Sequence, residues 1–340
     1  MLVNSTSYGL AHTTTFRRAS FAMFKQKGIR PKGYGSNLQN PSPRMMEIYK
    51  PLDGNIFLQP DQAGAEALVV AYLAPHKRFR DLFLNNIKSH TYVASHIFRN
   101  KWIKDGYTSI DSINNMEAKK LSQDIEWKRL ALNIKFNCEM EYFVGKMCCH
   151  AFNYRMRPST FQENVLDKSE GELVLSKQES ELYHATYHRI FPEISQGWWP
   201  ELEYQVIKTG YLYNLFGFPL YCNYYEGMTN RDKFWRETTA RVPQSTVGCL
   251  TAIAFCEIQD YIDEHKLGKE WHLRNDKHDS LLLECPERHK DDAIPILRKS
   301  IERELVSPRG EHFCMKSEIA CGKCWAKYNE KTCQDGMKDL

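Results

Sequence analysis

The spacing of apolar positions changes several times along the chain, and each change predicts an element. Residues 55–60 are mostly apolar and end at Pro60-Asp61, as a buried strand does. From Ala65, Ala67, Leu68, Ala71 and Tyr72 recur at helical spacing. Residues 90–104, 115–136 and 141–156 are helical candidates, the last closed by Pro158. Residues 177–208 continue the helical pattern, with a break near Gly197 and Pro200. Residues 210–222 predict a hairpin turning at Phe216-Gly217. A long amphipathic helix follows over 231–265, with Val247, Leu250, Ile253, Ala254, Ile258 and Tyr261 on one stripe. Residues 270–284 predict a second hairpin with His278-Asp279 at its turn, then a helix near 289–305 and a strand near 313–320. Residues 1–50 read as a short strand followed by loop. This order predicts an α+β fold: an antiparallel sheet with packed helices and a large helical insertion.

Composition adds little until its distribution is considered. At 340 residues, with 42% hydrophobic and 26% charged, the chain can build a large core. No run of 18 apolar residues appears, and no basic segment leads into an apolar one at the start, so neither a membrane span nor a secretory signal is expected. The net charge is +4, but the first 50 residues carry +7, leaving −3 for the rest. A basic arm of this kind suits phosphate contact, or is a solvated tail. Eleven cysteines without a disulfide-framework spacing point to a reducing, cytoplasmic setting. Cys321 and Cys324, flanked by Cys314 and Cys333, invite a zinc reading, but the spacing is not that of a standard finger and seven other thiols show that Cys is simply frequent.

The chemistry lies in two distant runs and one between them. Asp61 ends the first strand and Asp279 sits at the second hairpin turn, 218 residues later, so only a fold can join them. Glu66 follows Asp61 by five residues, at the start of a helix. Paired carboxylates of this type bridge two Mg²⁺ ions in phosphoryl transfer. Between them, Lys146, His150 and Tyr154 recur every four residues, drifting only about 40° per step around a helix. Such a face can meet phosphate, sugar and base in succession; the plainer alternative is a surface Lys above two half-buried rings.

Together these residues resemble the DNA polymerase I-like (family A) DNA polymerases. Asp61-Gln-Ala-Gly-Ala-Glu66 resembles the first palm motif, Asp-x-Ser-x-x-Glu. Lys146-x3-His150-x3-Tyr154 resembles the fingers-helix motif, Lys-x3-Phe-x3-Tyr-Gly. His278-Asp279-Ser280 resembles the second palm motif, His-Asp-Glu. Weaker likenesses fall in family order at Thr15 to Ser20, Asn37 to Asn40, Ser89-His90-Thr91, Pro243 to Val247 and Gly322 to Trp325, covering essentially the whole chain.

The resemblance implies a palm formed by 1–69 and 210–340 and fingers formed by 70–209. It implies that Asp61, Asp279 and the Gln62 carbonyl hold two Mg²⁺ ions. Lys146 and His90 would contact a dNTP triphosphate, with His150 and Tyr154 beside the sugar and base. Glu66 would pair with Tyr154 and crowd the ribose 2′ position, favouring deoxynucleotides; this weighs against the alternative with the same chemistry, a single-subunit RNA polymerase relative. Arg17 and Gln244 would contact the minor groove of primer–template DNA, and His278 the primer end. The chain also departs from the pattern. Tyr142 stands where the family has a triphosphate-binding Arg, His150 replaces an aromatic residue, Arg155 replaces Gly and Ser280 replaces the second palm carboxylate. The Ser280 change and the Pro243 to Val247 wording are similar to phage members of the family. The resemblance begins at the palm, so a thumb and an exonuclease domain are expected from an upstream segment or another chain. A non-catalytic, nucleic-acid-binding remnant is the alternative of a different class.

Overall fold

The strand predicted from residue 55 runs over Asn55–Gln62, and a sheet is built on it. The computed structural model describes residues 6–9, 19–22, 41, 43–107 and 109–340. Five strands lie in the order Lys338–Asp339, Ser317–Gly322, Asn55–Gln62, Ser280–Pro286 and His272–Lys277, every neighbouring pair antiparallel. The α+β expectation with an antiparallel sheet is borne out.

The chain forms two units. The first runs to Glu66 and includes Tyr213–Leu220 and Arg241–Leu340; the second is Ala67–Leu212 with Tyr221–Ala240. Residues 210–212 and 221–240 thus cluster with the helical stretch, and 213–220 and 241–340 with the sheet.

In the first unit, both sheet faces are covered because the strands alternate. Ile56 and Leu58, fully buried, share a face with Leu281 and Leu283 and pack toward the Lys290–Ile301 helix. On the opposite face Phe57 and Leu282 meet Trp325 and Met337. Trp325 is fixed there by donating from Nε1 to Gln59 Oε1 (2.9 Å) and from its backbone N–H to the Tyr49 carbonyl (3.0 Å). The 210–222 hairpin forms with Gly217 at φ +78°. Asn214 organises that turn: its Oδ1 accepts from the Phe216 and Phe218 amides (3.0 Å each), and its Nδ2 donates to Ser245 Oγ (2.9 Å).

In the second unit, the Ser89–Ile97 and Glu139–Phe152 helices pack closely. Gly145 makes the approach possible, since a Cβ there would stand 2.3 Å from the His90 carbonyl oxygen. Ala94, Trp102, Tyr107, Ile110, Leu130 and Ile134 form a core beside them, with Tyr142 against it.

Several predicted boundaries move, some for local and some for tertiary reasons. The 90–104 helix breaks at Phe98, which leaves helical geometry so that Trp102 turns inward and donates to the Ala94 carbonyl (3.2 Å). The 115–136 helix is interrupted at Asp124, which is extended and caps Ile125–Asn137 by accepting from the Trp127 amide (2.7 Å). The 141–156 helix ends at Phe152, and Pro158 opens the next helix instead of closing this one. In 177–208 the break falls at Phe191-Pro192, where proline supplies no N–H. Gly197 serves contact with Pro75, whose Cγ lies 2.4 Å from where a Cβ would be. The single strand near 313–320 is two: His312–Cys314 pairs with Glu304–Val306, and Ser317–Gly322 joins the main sheet. At the N-terminus the described strand Thr6–Gly9 pairs with Ala19–Ala22.

Candidate active site

In the first unit, strand pairing joins the distant aspartates. Asp61 lies directly across from Ser280, so Asp279 is its diagonal neighbour at the turn. The Gln62 amide donates to the Asp279 carbonyl (3.0 Å). His278 reaches that turn through a left-handed backbone, φ +48°, and the Asp279 amide turns back onto the Lys277 carbonyl. Alternation puts Asp61 on the same face as Gln59, whose Nε2 reaches Ser280 Oγ (3.3 Å), while Gln62 points into the core and is 1% exposed. Asp61, His278 and Asp279 are half-buried. Gln244 is also half-buried, on the Arg231–Glu264 helix. Glu66 is the second residue of the Ala65–Leu73 helix.

One acid in the 277–284 run has a structural task. Glu284, 2% exposed, accepts from the Leu52 amide (2.8 Å), Asn55 Nδ2 (2.8 Å) and Arg274 Nε (2.7 Å). Burial pushes its carboxyl up, but these donors outweigh burial and hold it below the ordinary value.

In the second unit, His90, Lys146 and His150 are brought together. The His90 ring is 5.9 Å from the His150 ring and 5.9 Å from that of Tyr142. Burial lowers the His90 pKa to about 3, helped by His150, Lys146 and Lys88. A ring so placed is neutral and offers one N–H rather than a charge, whereas Lys146 is exposed and cationic. Tyr154 departs from the expected helix face. It lies beyond the last helical residue, in a turn where the Met156 amide returns to the Ala151 carbonyl (3.2 Å). Arg155 has φ +61°, a conformation that favours glycine, the residue the family resemblance places here. Its guanidinium folds back over Trp199 (4.8 Å) and Trp235 (5.6 Å) and pairs with Glu203.

Arg17 lies outside the described residues. Glu66 belongs to the first unit and Tyr154 to the second, so their expected pairing spans the two. Among the described residues, no three His, Cys, Asp or Glu side chains are gathered to hold a metal ion, Cys314, Cys321, Cys324 and Cys333 included. Sequence reasoning missed Thr251, a buried hydroxyl on the Arg231–Glu264 helix that touches both Gln62 and His278. The only local signal was its place one turn past Val247 on the apolar stripe.

No protein-family model matches the chain. It is 21% identical over 337 residues to DNA polymerase I of Borreliella burgdorferi, covering 93% of this chain and 30% of that protein. Its structure is similar to the POL domain of Pol1 from M. smegmatis in complex with DNA primer-template and dNTP, with a TM-score of 0.64 and 16% identity over 94% of this chain and 48% of that one. The fold is therefore that of a polymerase domain. Sequence and fold together make the chain family A polymerase-like. It spans about half the length of the similar structure and under a third of the curated relative. Among the described residues, no helix is long and apolar enough to cross a membrane.

Proposed function

We propose that this chain acts as the palm and fingers of a template-directed DNA polymerase of phage type. It would add dNMP units from dNTPs to a primer 3′-OH and release pyrophosphate. The observation that carries this reading is the register that sets Asp61 across from Ser280, with the Gln62 amide on the Asp279 carbonyl (3.0 Å).

The donor set suits Mg²⁺. Two carboxylates and the Gln62 carbonyl are hard oxygen ligands, and water and phosphate oxygens complete such a site. When bound, a pair of these ions supplies an activated hydroxyl and charge neutralisation at the leaving group. Asp61 and Asp279 hold that charge at one end of the two central strands. Lys146 balances the triphosphate, and His90 donates a hydrogen bond to it from a neutral ring. His150 and Tyr154 lie along the sugar and base. Glu66 crowds the 2′ position, so Glu66→Ala raises ribonucleotide incorporation. Arg17, Gln244 and His278 meet the primer–template. In this reading 1–69 and 210–340 are palm and 70–209 are fingers.

Primer extension with Mg²⁺ tests the proposal. Asp61→Asn and Asp279→Asn each abolish extension while salt-sensitive DNA binding persists. Extension at the wild-type rate in either variant overturns it. Salt-sensitive binding without extension by the wild-type protein identifies a non-catalytic nucleic-acid-binding protein instead.

A further inference from the structure

The two peptide groups that flank the Asp279 Cα are both tied to one residue, Gln62. On the C-terminal side the tie is direct: the Gln62 amide donates to the Asp279 carbonyl (3.0 Å). On the N-terminal side it passes through Thr251. Gln62 Nε2 lies 2.7 Å from Thr251 Oγ1, which lies 2.8 Å from the His278 carbonyl oxygen. Gln62 and Thr251 are 1% and 2% exposed, so water does not compete for these bonds.

The direction of each bond follows from counting protons. A threonine hydroxyl has one proton and two lone pairs. The His278 carbonyl can only accept, and at 2.8 Å it is nearer than the Val247 carbonyl at 3.1 Å, the usual partner one turn back in the helix. The proton therefore goes to His278, and Gln62 must present its NH₂ group to a hydroxyl lone pair. In that orientation Gln62 Oε1 is buried with no partner among the described residues. A buried acceptor left bare is costly, so the donor side of this amide is held in place at the expense of the other.

We propose that Thr251 is a positioning residue for the metal-binding turn. With Gln62 it clamps both peptide planes around Asp279, and so sets the direction of the Asp279 side chain relative to Asp61. The clamp also holds His278 in a left-handed conformation that a side chain disfavours. This rests on the polymerase reading above for its consequence, but not for its geometry.

The test compares Thr251→Val, which keeps the shape and removes the hydroxyl, with Thr251→Ser, which keeps the hydroxyl. Hydrogen exchange at the Gln62 amide is read in the absence of metal and DNA. Thr251→Val speeds exchange about tenfold, the effect of losing one buried hydrogen bond. It raises the Mg²⁺ concentration for half-maximal primer extension by about tenfold, with a smaller change in the dNTP KM. Thr251→Ser restores both. Gln62→Leu, which removes the donor from the other end, reproduces the Thr251→Val exchange pattern should that variant fold poorly. Unchanged exchange of the position-62 backbone amide in both Thr251→Val and Gln62→Leu overturns the clamp, as does Thr251→Ser behaving like Thr251→Val. A wild-type protein that extends no primer removes the polymerase reading, while the exchange data still decide the clamp.

Discussion

Lowering the pH from 7 to 5 should destabilise the helical unit well before carboxylates are neutralised. Three of its histidines are held to about 3 by burial: His90, His96 with Arg189 and Arg78 adding to the effect, and His188 with His184 adding to it. An unfolded histidine titrates near 6.5. Between about 6.5 and 3 the unfolded chain therefore binds more protons than the native one, so stability is fully present above 6.5 and falls as pH drops. Each group loses at most about 1.4 kcal/mol per pH unit, or about 2 kcal/mol between pH 7 and 5. Three together approach about 6 kcal/mol, a large part of a domain's stability. Glu193, which burial raises, acts in the opposite sense and trims the total. His188 is the informative site: both ring nitrogens are buried without a partner among the described residues, beside Phe152, His184, Tyr187 and Trp199. Urea unfolding at pH 7.5, 6.5, 5.5 and 5.0 measures the slope, and His188→Phe should flatten it by one proton. Stability that stays constant from pH 7 to 5, or a slope untouched by His188→Phe, would refute the reasoning.

Three further outcomes follow from packing. Gly145→Ala drives a methyl into the His90 backbone and should cost about 3 kcal/mol or more, read as a lower urea midpoint with an unchanged slope; a neutral result would mean that the two helices can part freely. Arg155→Gly relieves about 1 kcal/mol of left-handed strain but loses the Glu203 pair and the stacking on Trp199, for a net loss of about 1–2 kcal/mol. A double-mutant cycle with Glu203→Gln should show coupling, and a more stable Arg155→Gly would contradict it. Glu284→Gln removes the charge and sets an NH₂ group either against Arg274 or against the Leu52 and Asn55 donors, and should cost about 2–4 kcal/mol in thermal or urea unfolding; less than about 0.5 kcal/mol would show that the buried clamp is idle.

Local order determined what could be read from the residues alone. Alternation and apolar runs marked Asn55–Gln62, the 34-residue Arg231–Glu264 helix and both hairpins, because these patterns act over a few residues of backbone. The turn at His278-Asp279 and the glycine at position 217 were legible for the same reason. Spacing over a great distance was not. That Asp61 faces Ser280, beside Asp279, is decided by strand register, and the Gln62–Thr251 bond joins residues 189 apart. The helix breaks at Phe98 and Asp124 were set by what Trp102 buries and by the cap on Trp127, so apolar spacing could not locate them. Arg155 read only as a replacement for glycine after Tyr154, and its folding back onto Glu203 and two tryptophans needed partner helices that only the tertiary structure supplies. The sequence by itself named the carboxylates and the cationic helix face. The tertiary structure decided which of them meet, because hydrogen-bond register and close packing act between segments that the chain keeps far apart.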